Sequence, residues 1–578
     1  MSSSASSEGP GRAASRCLLC SVGCPVRVIR AGPDQYLPDY VPHAGYAGLC
    51  GRGSVLVELA DHPERIREAH RHAGPAARGL AARRASPGDP AEAGDGCVAL
   101  GLEAAAREMA AALGNADSAA LIVDGNLDAD TVASAGRFAA GARAKWAVLV
   151  PPSDEALVRA LDSSGCRFVG PEALASSDAM FIVGDPFATH PVAAHWILAA
   201  KKARPRMPVL VLGDGSSVTA DFASAAYQAT PGAGLASAVA AVRTSDSGRC
   251  AGAGADAKAV ALRLTQGDPE QGRRVAGWKE QLQSAKQAVI VLAPESGRAS
   301  VLRLASEAAA LAKETGAAVC PLTTYGNAWG SVRAASAGGA TAIEAILREP
   351  VETLVVIGAD LESVLAPPAV EEALGGVLTH IYVGPMPNAT SRRAGLVLPS
   401  AFAFEDSGRA LLGPGREVAF GPLLPPPAGV PTVREILAMA GAGGAAKADI
   451  GSPVAAAQML SNGSKVRGEG LLLRLAGDPI HFADGSLTRA CRWPQAVLPR
   501  PVLVLAEADA RAAGLAEGRT AVVRGPGGSA EAVVATDARQ RAGQARVSAA
   551  FPAMRSVFGW DPGAPDAYEP VRVQVGKA

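Results

Sequence analysis

The chain is short of aromatic residues, of net charge and of long apolar runs, and these shortages remove several classes of function. Phe, Trp and Tyr make up 4% of 578 residues, while Ala and Gly are abundant. That bias reflects genome base composition as much as function. Lys+Arg and Asp+Glu stand at 55 each, so there is no basic excess of the kind a nucleic-acid backbone partner requires. No stretch reaches the roughly 18–20 uninterrupted apolar residues of a membrane span. The apolar runs, such as Ala119–Val123 and Val209–Leu212, are strand-sized. Residues 1–15 carry neither a signal-peptide core nor a twin-arginine signal; they read as a disordered tail, and the expected location is cytoplasmic. Hydrophobic residues at 48% and charged ones at 19% describe a globular chain, long enough for about three to four domains.

Nine cysteines in a chain of this size do not make a disulfide scaffold. Cys97, Cys166, Cys250, Cys320 and Cys491 are scattered singly and read as small buried or partly buried thiols. The other four are grouped: Cys17-Leu-Leu-Cys20-Ser-Val-Gly-Cys24-Pro25, then Cys50-Gly51-Arg52-Gly53, a C-x2-C-x3-C-x25-C pattern. A compact loop aims three thiolates at one point and a later turn brings the fourth, which suits a [4Fe–4S] centre. Gly23 and Gly51 let backbone pass close to such a centre. A zinc site remains an alternative, although zinc usually takes two close cysteine pairs. A thioredoxin-type C-x2-C leaves Cys24 and Cys50 unexplained.

This spacing, with the Gly/Arg turn and His62-Pro63-Glu64-Arg65-Ile66, resembles the N-terminal cluster domain of molybdopterin oxidoreductases. Formate dehydrogenases, nitrate reductases and the large iron–sulfur subunit of NADH–quinone oxidoreductase belong to that group. The resemblance continues in Asp185-Pro-Phe-Ala-Thr-His190-Pro191 after a strand-like run, and in His481-Phe-Ala-Asp-Gly485-Ser-Leu-Thr488-Arg489. Gly326-Asn327-Ala328-Trp329-Gly330 and the segment from Ala394 through Glu405 and Gly408 to Gly415-Arg416-Glu417 resemble the NADH–quinone oxidoreductase subunit in particular. The resemblance implies that Cys17, Cys20, Cys24 and Cys50 hold the cluster. It implies that Arg52 stands where catalytic members have a lysine bridging cluster and pterin. It also implies that His481, Gly485, Ser486, Thr488 and Arg489 lie beside any pterin.

Several departures argue against a working molybdenum or tungsten site. The stretch Ala140–Ala160, where catalytic members supply a metal ligand, has no cysteine. Ser153 and Asp154 there read as an ordinary helix N-cap. Pro231-Gly-Ala-Gly234 lacks the family's nucleotide-contacting acid. Ala293-Pro-Glu-Ser-Gly-Arg298 puts Pro and Glu where a pyrophosphate would lie, with Arg298 as a partial offset. Molybdopterin guanine dinucleotide is therefore the less favoured cofactor. No ferredoxin-like domain precedes Cys17, so kinship with the NADH–quinone oxidoreductase subunit implies a split form.

Alternating strand-like and helix-like stretches imply parallel α/β layers. The expected organisation is a tail (1–15), a [4Fe–4S] domain (16–70) and a linker (71–96). An α/β domain over 97–285, completed by part of 330–465, a second α/β domain over 286–440 and a small β-barrel over 466–578 follow. The expected function is an electron-relaying subunit of a larger redox complex whose other subunits are iron–sulfur or flavin proteins. The alternatives are a catalytic molybdenum or tungsten subunit and a zinc-stabilised scaffold without redox activity.

Overall fold

The computed structural model describes residues 15–32, 36–40, 48–72, 97–244, 277–295, 297–442, 448–454, 469–559 and 568–578. The first fourteen residues of the expected tail, and 73–96 of the expected linker, fall outside the described residues. The chain begins with a three-stranded antiparallel sheet, Ser15–Arg16, Pro25–Arg30 and Tyr36–Tyr40, whose first connection is the cysteine loop. A 3-10 turn, Gly53–Val55, then runs into the short helix Leu56–Ala60.

Two parallel sheets form the body. The five-stranded one orders Ala225–Gln228, Val209–Gly213, Ala179–Gly184, Ala288–Ala293 and Ala318–Pro321, all parallel. The seven-stranded one orders Cys97–Leu100, Ala69–His72, Leu396–Pro399, Thr379–Gly384, Thr353–Ile357, Ala119–Asp124 and Lys145–Leu149. Its last five strands are mutually parallel, and Ala69–His72 runs antiparallel to both of its neighbours. Helices cover both faces, so central strands such as Ala-Val-Ile-Val-Leu-Ala (288–293) are buried along their whole length. Continuous rather than alternating apolar runs are what such burial requires. Helix starts follow local chemistry: Asp128 accepts from the N–H groups of Asp130 and Thr131, 3.0 Å each, and opens the helix Ala129–Gly141. A closed six-stranded barrel ends the chain, in the order Leu471–Ala476, Gln544–Ser548, Val502–Leu505, Gly528–Thr536, Thr520–Gly525 and Val571–Lys577. Among the described residues no helix is long and apolar enough to cross a membrane.

Strand pairing corrects the expected grouping of the α/β blocks. Residues 179–228 do not continue the sheet of 97–149; they pair with 288–321, while 119–149 pair with 353–399. Alternating βα patterns fix how many parallel strands there are but not their neighbours, because each crossover spans one strand position or several. Arg71 and His72, expected in the linker, belong to the seven-stranded sheet.

A buried ion pair ties the cysteine-bearing region to this sheet. Arg65 and Glu405 are both fully shielded from solvent, with Nη1–Oε1 at 2.6 Å and Nη2–Oε2 at 2.5 Å. Arg65 also donates to Ala60 O and lies over the Phe402 ring, while Glu405 accepts from Phe402 N–H. Removing one partner leaves an uncompensated buried charge, which costs about 3–5 kcal/mol. Glu405→Ala is expected to lower unfolding stability by that amount in a urea titration. A loss below about 1 kcal/mol would show that the guanidinium finds water or another partner.

Candidate functional site

Cys17, Cys20, Cys24 and Cys50 line one pocket, together with Arg52 and His190. The loop carrying the first three is closed by Cys17 N–H to Cys24 O at 2.9 Å and Gly23 N–H to Cys20 O at 3.2 Å. Gly23 has φ +65°, and a Cβ there would stand 2.2 Å from Leu412, so the loop needs glycine for its turn and for its packing. Cys17 and Cys24 are buried; Cys20 and Cys50 are partly exposed. Burial pushes the Cys20 thiol up to about 11, with the Cys50 sulfur adding to the shift. Cys17 and Cys24 are raised further, again by burial first and by the neighbouring cysteines second. Without a cation these three thiols stay protonated; they ionise together only if positive charge is brought among them.

Distant segments hold the loop in place. Ser21 donates its N–H to Thr323 O (3.2 Å) and accepts the Thr323 N–H on its hydroxyl (2.8 Å). Thr323 O also accepts from His190 Nε2 at 2.9 Å. Burial, reinforced by the Arg52 charge, lowers the His190 pKa to about 4, so it is a neutral strut. Gly326 donates to Leu18 O at 3.1 Å, and a Cβ there would meet that oxygen at 2.3 Å. Arg416 donates to Ser21 O at 3.2 Å. Asn327 is fully buried; it donates to Leu127 O and Ser331 Oγ and accepts from Leu411 N–H. The Gly326–Gly330 and Gly415–Glu417 segments singled out in the sequence thus supply the contacts that grip the cysteine loop. Arg52 is buried; its Nη2 donates to Ala188 O (3.1 Å) and Thr189 O (2.5 Å), and its Nε has no hydrogen-bond partner. It lies between the pocket and the turn before His190.

The turn His481–Arg489 is close by, since its Phe482 lines the same pocket and stacks on Tyr325 at 6.1 Å. His481 is engaged on both ring nitrogens: Nε2 donates to Leu498 O (2.8 Å) and Nδ1 faces Thr488 Oγ1 (3.1 Å). Thr488 Oγ1 in turn accepts from Phe482 N–H. Gly485 has φ +74° and lies where a Cβ would meet Ala550 O at 2.4 Å. Ser486 donates twice to Asp484 Oδ1. These four residues shape the turn, whereas Arg489 Nε and Asp484 Oδ2 are buried without hydrogen-bond partners.

Sequence reasoning missed the buried acids Asp124 and Asp360. Asp124 ends a parallel strand, where open α/β sheets form their crevices, and burial raises it to about 7. Asp360 is raised to about 6 for the same reason. Asp154 is not the helix cap expected of it. It lies inside the helix Pro152–Leu161 and accepts from Thr324 N–H (2.9 Å) and Tyr325 N–H (2.8 Å). Burial outweighs those bonds and raises it to about 7.

The slot where a pyrophosphate would meet the helix Arg298–Thr315 is filled from within. Glu569 accepts from Ser300 N–H (2.9 Å) and Ser300 Oγ (2.5 Å) at the helix start. Glu295 accepts from Gly477 N–H at 2.5 Å and lies 3.4 Å from Arg474, which also faces Asp214. Arg298 does not offset Glu295: it pairs with Glu155 (2.9 Å) and Glu344 (2.7 Å).

Because the Gly326 contact is with backbone, Gly326→Ala must displace the loop. Overpacking of this kind costs about 1–3 kcal/mol. The expected outcome is a lower unfolding midpoint and faster alkylation of Cys17. Unchanged alkylation would mean that the 323–326 segment does not set the loop.

No family model matches the chain, and no curated protein matches it. Among solved structures it is similar to acetylene hydratase from Pelobacter acetylenicus, with a TM-score of 0.71 at 12% identity. The similarity covers 98% of this chain and 100% of that one. At such identity the likeness establishes architecture alone: parallel α/β sheets and a small closed barrel in a molybdopterin oxidoreductase-like fold.

Proposed function

We propose that the chain is an iron–sulfur subunit relaying electrons through one [4Fe–4S] cluster held by Cys17, Cys20, Cys24 and Cys50, within a larger redox complex. The observation that carries this reading is the single buried pocket lined by all four thiols. Three cysteines on one loop and a fourth from a later turn suit a multi-iron cluster better than the two close pairs a zinc site usually takes. When bound, such a cluster supplies one-electron transfer between partners. The chain's part is to hold the thiolates and screen them with Leu19, Val22 and Phe482. Arg52 contributes positive charge, and the body offers a surface for partner subunits, iron–sulfur or flavin proteins.

Glu295 and Glu569 favour a relay over a pterin enzyme. Glu569 occupies the donors at the start of the helix Arg298–Thr315 that a nucleotide pyrophosphate would otherwise engage, and Glu295 adds a second carboxylate in the turn before that helix. A second reading, a catalytic molybdenum or tungsten subunit, draws on the fold shared with acetylene hydratase and on the unpartnered Arg489 Nε and Asp484 Oδ2. Kinship with the large subunit of NADH–quinone oxidoreductase rests on the sequence segments alone.

Anaerobically purified protein is expected to hold about four irons per chain and no molybdenum or tungsten. One molybdenum or tungsten per chain would transfer the assignment to the second reading. Cys20→Ala is expected to lose the iron and destabilise the N-terminal region, since metal binding and folding are coupled. Cys166→Ser, outside the pocket, should keep the iron. Full iron in Cys20→Ala would refute the ligand set.

A further inference from the structure

A second set of metal-binding side chains lies at the edge of the seven-stranded sheet, in residues the cysteine pocket does not use. The strands Ala69–His72 and Cys97–Leu100 pair antiparallel, with His70 opposite Ala99 and His72 opposite Cys97. Side chains alternate along a strand, so His70 and His72 share one face and Cys97 joins them there from the neighbouring strand. The other face is independently accounted for. Ala69 and Leu100 pack into the core beneath the helix Leu102–Asn115, and Arg71 pairs with Glu108 of that helix. The two imidazoles and the thiol stand on the opposite face from the one that meets this helix.

Their geometry is that of a chelate. One ligand atom from each of His70, His72 and Cys97 can be chosen so that all three lie within 4.8 Å of one another. Cys97 Sγ is 3.4 Å from His72 Nδ1, and the two imidazole rings are edge to face with centroids 5.3 Å apart. Around a tetrahedral zinc ion with bonds of about 2.0–2.3 Å, nitrogen and sulfur ligands lie roughly 3.3–3.8 Å from each other. The Cys–His pair already has this separation, and rotation of half-exposed side chains closes the remainder. His70 Nδ1 lies 3.2 Å from Glu68 O. A carbonyl only accepts, so Nδ1 carries the proton and the Nε2 lone pair is left for a metal. Metal-ligating histidines are commonly oriented by such a contact. Cys97 is exposed, so its thiol reaches solvent-borne ions without any opening of the fold.

We propose that His70, His72 and Cys97 form a site for one zinc-class divalent cation, distinct from the four-cysteine pocket. Two imidazoles and a thiolate are borderline ligands suited to Zn2+ rather than to Mg2+ or Ca2+. The ion cross-links an edge strand to its neighbour, adding to the backbone ladder, the core packing of Ala69 and Leu100 and the Arg71–Glu108 pair on the opposite face.

The test uses the full chain, purified anaerobically with its iron retained and loosely held zinc removed by a mild chelator, and Zn2+ alone as the probe. Alkylation of Cys97, followed by mass spectrometry of its peptide, is expected to slow at least tenfold when Zn2+ is added to the wild type. His70→Ala/His72→Ala should abolish that protection while iron content and circular dichroism stay unchanged. His72→Ala alone should weaken it. Cys97 alkylating at the same rate with and without Zn2+, or equal protection in the double variant, would overturn the site. Iron content is read on the same samples, so failure of the zinc site is distinguishable from failure of the cluster assignment.

Discussion

The constraint on which the rest depends is that four thiols must be kept together in a poorly solvated pocket by a loop too short to have a core of its own. Backbone bonds from far along the chain do the holding. Ser21 and Thr323 exchange two hydrogen bonds across 302 residues, His190 braces the same carbonyl, and Gly326 presses against Leu18 O. A buried donor or acceptor left unpaired costs about 1–3 kcal/mol, so each tie resists loosening. The cysteine loop is thereby a part of the α/β body, and the Arg65–Glu405 pair secures the segment that follows it. Burial holds the Cys17, Cys20 and Cys24 thiols in the protonated form in the absence of a cation.

Interior carboxylates set the character of the remaining cavities. Glu569 and Glu295 take up the backbone donors at the start of Arg298–Thr315 and at Gly477, and Arg474 is matched by Asp214 and Glu295. A fold of this kind carries anion-binding positions by construction, because helix starts present unpaired N–H groups. Here the chain's own acids meet part of that demand. Unpaired buried polar atoms remain at both ends of the interior: Arg474 Nε beside Glu295, and Arg489 Nε and Asp484 Oδ2 toward the turn at His481.

Much of the local architecture was legible in the residues. Apolar runs of five or six marked the buried strands Ala119–Asp124, Ala179–Gly184 and Ala288–Ala293, because burial on both faces leaves no polar alternation. The cysteine spacing singled out four residues that the fold brings to one pocket, since thiols so densely grouped have few other uses. Asp154 was misjudged because a polar residue near a helix start has two options. It can cap its own helix or reach another segment, and only the position of Tyr325 decides between them. Likewise Arg298 looked available to an anion, yet Glu155 and Glu344, distant in sequence, claim it.

The sequence by itself determined the element types, the cysteine set and the glycines at tight turns, all properties of periodicity or local spacing acting over a few residues. Only the tertiary structure decided which parallel strands are neighbours. It put 179–228 beside 288–321, and the crossovers that link parallel strands leave that order open. It also decided the partners of charged groups: Ser300 meets Glu569 across 269 residues, and His72 meets Cys97 across a strand pair. Electrostatic and metal-binding contacts depend on distance in space, which a linear sequence does not contain until hydrophobic burial has fixed the layers.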